Sequence, residues 1–552
     1  METTLSVIPL GGVEEIGGLN MTAYRYGDDI IVIDAGLMFP DASMLGVDFV
    51  IQDFTYLLEN ADKIQAIFLT HAHEDHVGAL PFLLKELDVP VYGTALTLGF
   101  VQAKLREHNL PKRRLKRIKP RSVITAGEFR VEAIRVTHSI VDGVAFGITC
   151  PLGCIVHTGD FKIDPTPVDG EIMDFRKFTE YGEKGTLLLL SDSTNAEKGG
   201  FTFSEKEVRR GFEDIFSKAP GRIIVSTFSS NIHRIQQVID VAHMFGRKVI
   251  ICGRSIATNT EIALDLGYLT LPPDTLLEMD QLKNLADEEV VLMTTGSQGE
   301  PMSVLSRIAV GEHKHIKITE GDTVVLSAKA IPGNERTIGK LINRLFKLGA
   351  DVIHEKVSEI HVSGHASKEE LKLMLSMVRP KYFMPIHGEY RNLVTHAKLA
   401  LNMDIPKENI FLMENGDVLK IDSKGARKDG KVETGRTFID GKGVGDVEEM
   451  VLRDRRRLAQ DGIVIPLLTI DKEYGKLASP PEIITRGFTQ EEESPEMIEE
   501  MVALLTEAIG AMDKEVVSDP DMLKAEARRV LRKHIRKKIE RRPMVMPIIF
   551  EV

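Results

Sequence analysis

Three cysteines in 552 residues, Cys150, Cys154 and Cys252, are too few to staple a chain of this length, which excludes a disulfide framework. Cys150 and Cys154 flank Pro151-Leu152-Gly153, a hairpin-turn sequence. An in-register pair is conceivable there, but two buried thiols in neighbouring strands are the expectation. No apolar run approaches the roughly 20 residues of a membrane-spanning helix. The start, Met1-Glu2-Thr3-Thr4, has no basic region and passes straight into apolar residues 5–10. No secretory signal is expected, and a reducing, cytoplasmic setting is. Positive charge is in deficit: 70 Lys and Arg against 82 Asp and Glu give −12. That argues against indiscriminate nucleic-acid binding through bulk charge, though not against a local basic channel. What remains is a globular composition, 43% hydrophobic and 28% charged, over a length that suggests about three or four domains.

The densest chemistry lies in His71-Ala72-His73-Glu74-Asp75-His76. It follows an apolar run at 64–70, read as a buried strand. It precedes 77–87, where Val77, Leu80, Leu83, Leu84 and Leu87 have helical spacing. The ligand types therefore sit on a loop at the carboxyl end of a strand, where open α/β folds place their sites. Imidazole and carboxylate suit zinc and similar ions. His71 and His73, two apart, point the same way from an extended backbone; Asp75 and His76 lie beyond the bend and can serve a second ion. A lone His in such a loop is commonly just a turn residue, but four ligand types in six residues are not explained that way.

Other polar residues repeat this placement. His138 follows the strand at 131–136, Asp160 follows 155–157, Asp192 follows 187–190, and His387 follows 382–386. Each alone reads as a turn residue or helix cap; the shared position is what makes them candidate ligands. From about Phe203 the pattern becomes βαβ, with strands at 223–226, 249–252 and 290–294 and helices at 231–244 and 255–266. Ser204 with Glu207, and Ser367 with Glu370, read as capping boxes. The second places His365 just before a helix N-terminus, whose free N–H groups would favour a phosphate. Residues 421–446 are rich in Gly and Lys and read as a linker or long surface connection. The last hundred residues read as a small domain with strands at 463–470 and 546–550 and helices at 495–509 and 521–539. Of two basic runs, 112–119 reads as pairing with the protein's own carboxylates or as an RNA contact, and the stretch from Arg528 to Arg542 as a solvated helix face or as an RNA or oligomer contact.

With these motifs assembled, the chain resembles the metallo-β-lactamase superfamily and, within it, the β-CASP nucleases. His71 to His76 matches the superfamily's His-x-His-x-Asp-His signature, and His138 and Asp160 stand where its next metal motifs fall. Asp192, His365 in Ser-Gly-His-Ala-Ser and His387 in Pro-Ile-His-Gly-Glu-Tyr match the β-CASP marks. The strings at 11–17, 70–78 and 362–367, with the C-terminal domain, resemble the bacterial ribonuclease J family. The resemblance implies an α/β fold: a metallo-β-lactamase αββα sandwich with an inserted β-CASP domain and a small α+β C-terminal domain. Its implied boundaries are 1–203 and 371–422 for the lactamase domain, 204–370 for β-CASP, 423–450 for a linker and 451–552 for the last domain.

It also implies two Zn2+ ions, with Mn2+ as an alternative. His71, His73 and His138 would hold one, Asp75, His76 and His387 the other, and Asp160 would bridge them. Asp75, His365 and Asp192 would carry the chemistry, His365 at the scissile phosphate or leaving oxygen and Asp192 orienting an imidazole. Ser229, Ser230, Asn231, His361, Val362, Ser363, Gly364, His365 and Ser367 would hold RNA phosphates. Asp48 and Asp446 could contribute to an additional structural divalent cation. The implied activity is hydrolysis of single-stranded RNA, 5′ to 3′ and internally, by in-line attack that leaves a 5′-phosphate on the downstream product. Its setting would be mRNA decay and rRNA maturation, in a homodimer or homotetramer together with other RNA-decay proteins, with no membrane. The competing readings are a DNA-directed nuclease on the same scaffold and an RNA-binding scaffold of a decay complex. A plain ester or thioester hydrolase has no use for the inserted domain or His365.

Overall fold

The computed structural model describes all residues except 1–3, 42, 111–112, 301, 332–333, 356–359, 442, 446–448 and 489–493. Two sheets face each other. The first runs in the order Gly425–Lys431, Asp417–Asp422, Leu5–Gly11, Met21–Tyr26, Asp29–Ile33, Ile64–Phe68, Val91–Gly93 and Leu115–Arg117. The second runs Tyr382–Ile386, Thr186–Asp192, Gly153–His157, Val144–Cys150, Phe129–Arg135 and Val123–Ala126. Their facing side chains, among them Val7, Tyr24, Ile31, Phe68, Val131, Phe146, Ile155 and Leu188, form one buried core. Helices cover the outer faces. Leu80, Leu83, Leu84, Val101 and Leu105 pack on the first sheet, and Phe178, Tyr181, Leu371, Met374 and Leu375 on the second. Strands buried on both faces read as continuous apolar runs, as Ile30 to Ile33 and Leu187 to Leu190 do. This is the expected αββα sandwich.

Between Thr186–Asp192 and its parallel neighbour Tyr382–Ile386 the chain leaves to build a third sheet and then returns. That sheet is wholly parallel, in the order Leu276–Leu277, Lys248–Cys252, Val290–Thr294, Ile223–Ser226, Thr323–Leu326 and Asp351–Ile353. It is the inserted α/β domain. Its core is continuous with Ala72, Leu96, Phe100, Ile140 and Val141 of the sandwich.

By contacts the chain divides into two units: Met1–Phe39 with Val50–Arg436, and Pro40–Phe49 with Thr437–Val552. In the second unit, strand Ile463–Asp471 is central to a sheet whose Val464, Leu468 and Ile470 pack on Met501, Leu505, Leu531 and Ile535 of helices Ser494–Gly510 and Pro520–Ile539.

Several local expectations are corrected. The helix expected over 77–87 is two short helices, Glu74–Val77 and Leu80–Glu86, because Pro81 has no N–H to continue the first and suits the start of the second. Ser204 and Glu207 form no capping box: helix Lys206–Lys218 starts from Glu205 without a side-chain cap, and Ser204 Oγ, which donates to Thr166 O, accepts the Lys206 N–H at 3.3 Å while the Glu207 N–H goes to Ser204 O. Residues 425–431 are not linker. They form an edge strand antiparallel to Asp417–Asp422, and their charged side chains suit an edge exposed to water. The C-terminal strand splits into Met544–Val545 and Ile548–Glu551 around Pro547. The cysteines are free, and Cys154 pairs in register with Thr149 rather than Cys150. Among the described residues no helix is long and apolar enough to cross a membrane.

Candidate metal centre

Five strands end at one place. Ile64–Phe68 leads into the His71 to His76 loop, Phe129–Arg135 into His138, Gly153–His157 into Asp160, Thr186–Asp192 ends on Asp192, and Tyr382–Ile386 leads into His387. The parallel register sets Asp192 opposite Ile386, so residues almost 200 positions apart meet by strand pairing alone.

Two groups of ligand atoms result. In the first, His71 Nε2 lies 3.0 Å from His73 Nδ1, which lies 3.2 Å from His138 Nε2. Asp160 Oδ2 is 3.8 Å from both His71 Nε2 and His138 Nε2. In the second, His76 Nε2 is 3.6 Å from Asp75 Oδ2 and 3.3 Å from Asp160 Oδ2. His387 Nε2 closes it at 3.3 Å from Asp75 Oδ2 and 3.6 Å from Asp160 Oδ1. A tetrahedron with bonds of about 2.0–2.1 Å has edges of about 3.3–3.4 Å, so both groups have the dimensions of a cation cage and share Asp160. Asp160 Oδ1 is buried without a hydrogen-bond partner, the condition of an oxygen reserved for a cation. Among the described residues, clusters of ligand-type side chains of this kind occur only here.

The far nitrogen is held in four of the five rings. His71 Nδ1 meets Thr70 Oγ1 at 3.0 Å, and that hydroxyl donates to Asp34 Oδ2 at 2.8 Å. His76 Nδ1 meets Asp34 Oδ2 at 2.8 Å. His138 Nδ1 meets Gly364 O at 2.7 Å, and His387 Nδ1 meets Thr194 Oγ1 at 2.7 Å. With Nδ1–H donating outward, the Nε2 lone pair points inward, the tautomer a metal ligand needs. Asp34 escaped the sequence reading, where Asp34-Ala35-Gly36 is only a turn. Its signal is a positive φ of 62°, unusual for a residue with a side chain and common where strain serves a site. His387, φ 54°, shares it.

Two glycines let the loops close over the centre. A Cβ on Gly36 would lie 1.6 Å from Asp75 O, and one on Gly364 would lie 2.5 Å from His138 Cε1.

Burial pushes His71, His73 and His138 down, His73 to about 4, and the crowded neighbouring rings add to it. These rings are neutral donors. Burial also acts downward on His76 and His387, but there the carboxylates win: Asp160, Asp75 and Asp34 lift His76 to about 10, and Asp160, Asp192 and Asp75 lift His387 well above its ordinary value. Asp75 and Asp160 are held low by those rings against the effect of burial. The second cage thus collects protons, and a dication competes with them for the same atoms.

His365 stands at the open rim, 20% exposed by side chain, with Nδ1 2.8 Å from Asp192 Oδ2. Asp192 is buried, and its other oxygen accepts Thr194 N–H at 2.9 Å and lies 3.5 Å from His387 Nδ1. Asp192 therefore aims two rings and does not face the cleft.

The expected phosphate contacts divide. Ser363 Oγ accepts from Asn195 Nδ2 at 2.8 Å, beside His365. His361 Nδ1 is buried without a partner, and the ring is pushed well down by burial and by Arg234, Lys329, Lys162 and Lys198. Ser229 and Ser230 are half-buried before helix Ile232–Met244. Asn231 instead caps that helix, accepting Arg234 N–H. Ser367 is spent on its capping box with Glu370 and on Thr202 Oγ1. Val362 is buried in the core of the inserted domain. The helix N-terminus behind His365 is not free for an anion: Lys368 N–H goes to Lys198 O and Glu369 N–H to Gly200 O. Asp48 accepts Gly441 N–H at 2.8 Å, and Asp446 lies outside the described residues.

Family sequence models match in four places: the metallo-beta-lactamase superfamily at 16–183, the ribonuclease J beta-CASP domain at 220–345, the Zn-dependent metallo-hydrolase RNA specificity domain at 350–412 and the ribonuclease J C-terminal domain at 450–552. The chain is 43% identical to ribonuclease J 1 of Streptococcus pyogenes over 546 residues, covering 99% of this chain and 97% of that one. It is 42% identical to ribonuclease J2 of Bacillus subtilis, covering 99% and 98%. It is 42% identical to ribonuclease J of Thermus thermophilus, covering 99% and 95%. A crystal structure of a protein of unknown function from Enterococcus faecalis overlays with a TM-score of 0.54 at 18% identity, covering 75% of this chain and 99% of that one, a likeness of fold.

Proposed function

The chain belongs to the ribonuclease J family and is a metal-dependent ribonuclease; from that premise we propose that it degrades single-stranded RNA from the 5′ end, preferring a 5′-monophosphate, and also cuts internally. The observation that carries the reading is the pair of ligand cages sharing Asp160. His71, His73 and His138 would hold one divalent ion and Asp75, His76 and His387 the other, with Asp160 serving both; the donor set suits Zn2+ and accepts Mn2+. Two such ions would supply an activated water and neutralise charge on the phosphate oxygens.

The rest falls to the chain's own groups. Asp192 fixes Nδ1 of His365, leaving Nε2 to face the substrate and give a proton to the leaving oxygen. His361, Ser363 and the backbone at Gly364, with Ser229 and Ser230, line the path of the phosphates. The neutral His361 ring amid four cations is a place where a phosphate restores balance. Catalysis needs a conformationally fixed Asp192, so it is a positioning residue. We assign the lactamase domain to 1–203 and 371–431, β-CASP to 204–370 and the last domain to 451–552. Cytoplasmic mRNA decay and rRNA maturation, in a dimer or tetramer and with other RNA-decay proteins, is the setting this reading supports.

The test is one RNA labelled at its 5′ end, as monophosphate and as triphosphate, with a matched DNA. Metal-dependent release of labelled mononucleotide from the monophosphate form, lost with chelator and in Asp75→Ala, is expected. Internal fragments alone, from both forms, would leave an endonuclease without 5′-end selection. DNA cut in preference to RNA would overturn the substrate assignment.

Asp34→Asn keeps the side chain's shape and removes the charge behind His76 and Thr70. Outer-shell changes of this kind cost about 10- to 100-fold in metal affinity. Competition with a fluorescent chelator should report that loss at one ion and a smaller change at the other. Unchanged affinity at both would remove Asp34 from the account.

A further inference from the structure

Two of the most exposed apolar side chains in the protein are Phe201 and Phe203, 59% and 67% exposed. They sit beside the centre. Thr202 between them turns inward, donating through Oγ1 to His365 O at 2.9 Å and through its N–H to Glu370 Oε2 at 2.7 Å. This in–out alternation belongs to an extended segment, whose residues two apart share a side at about 6.6–6.8 Å. The segment is fixed at several points: Lys368 and Glu369 N–H groups hold Lys198 O and Gly200 O, and Lys162 Nζ holds Phe203 O at 3.3 Å. The rings are exposed on a braced frame rather than left loose. Lys198, on the same loop, lies against the Lys329 amine with Glu355 near enough to act on it, and among the described residues neither lysine forms an ion pair.

Attachment points that far apart on an extended backbone correspond to about two stacking distances of about 3.4 Å each, room for one aromatic ring between two others. Two adjacent ammonium groups suit a phosphate. We propose that Phe201 and Phe203 bracket one base of the bound RNA strand while Lys198 and Lys329 hold its backbone phosphate, so that the loop grips RNA without reading its sequence. Stacking of this kind tolerates any base, because each has a flat face. The inference rests on the ribonuclease reading above and names where part of the strand lies.

The test combines abasic scanning with substitution. Wild-type holoenzyme and Phe201→Leu, Phe203→Leu and the double variant are given RNAs with one abasic residue at successive positions, and KM and kcat are measured. Wild type should show one position where losing the base raises KM about 5- to 150-fold, the range expected for one stacked base. The double variant should show a similar rise with intact RNA and no further loss at that position. The rings are exposed, so the variants should melt with wild type; should they unfold, the abasic scan of wild type decides alone. No sensitive position, or losses that multiply independently, overturns the proposal. So does a variant that changes sedimenting mass while leaving KM unaltered, since the rings then face a second copy of the chain. Wild type that cleaves no RNA would instead sink the ribonuclease reading.

Discussion

Asp160→Ala should abolish RNA hydrolysis and empty both metal positions together. The side chain is 3% exposed and its oxygens face both cages: Oδ2 lies 3.3 Å from His76 Nε2 and 3.8 Å from His71 and His138 Nε2, and Oδ1 lies 3.6 Å from His387 Nε2. It is also the carboxylate that does most to raise His387 and His76, so its loss changes the charge of the second cage as well as its set of donors. A fall in kcat of about 10³-fold or more is expected, beyond the loss of a single stabilising donor. Elemental analysis after desalting should find less than one ion per chain, against two in wild type. Asp75→Ala is the contrast. Asp75 contacts only the second cage, so that variant should keep one ion. If Asp160→Ala retains both ions, the shared-ligand reading is wrong, whatever its activity.

The His71 to His76 signature was legible because ligand type and chain proximity coincide there. His138, Asp160, Asp192 and His387 were legible as a repeated placement past strand ends, since parallel pairing gathers those ends on one rim. What the sequence did not disclose is who holds the ligands. Asp34, Thr194 and the Gly364 carbonyl act across folds of tens to hundreds of residues, Thr70 on the residue beside it, and polar turn residues have no spacing rule that separates a brace from a plain turn. Capping logic misled in both directions. It placed a box at Ser204, whose hydroxyl takes the Lys206 N–H instead of that of Glu207, and left the helix behind His365 open to an anion, where the 198–202 loop already occupies the N–H groups. Asn231 shows the same competition: a side chain expected at a phosphate is more strongly drawn to the helix it precedes. Charged residues at 425–431 suggested linker because edge strands and linkers share their composition.

Arg234 was equally silent in the sequence, and its removal should have the largest effect on stability. It lies fully buried in the inserted domain, on helix Ile232–Met244. Its guanidinium donates to Glu205 Oε1 at 2.9 Å through Nε, to Ser327 O at 3.1 Å and to Ile360 O at 2.8 Å. Glu205 is 2% exposed, and its other oxygen has no partner. Arg234→Met would leave that carboxylate buried without compensation, a defect worth about 3–5 kcal/mol. For a domain of this size that lowers the first thermal transition by about 10 °C. The double variant Arg234→Met/Glu205→Leu should recover most of the loss, because the cost lies in the stranded charge rather than in the missing contact. Activity should not recover with it. Arg234 and Ser327 Oγ both hold Ile360 O, which anchors the segment leading through His361 and Ser363 to His365. A double variant that melts like wild type yet shows a raised KM would separate the two roles of this arginine. Arg234→Met melting within a degree of wild type would mean that Glu205 takes up a proton or finds water, and the buried pair would then contribute nothing to holding the inserted domain on the catalytic rim.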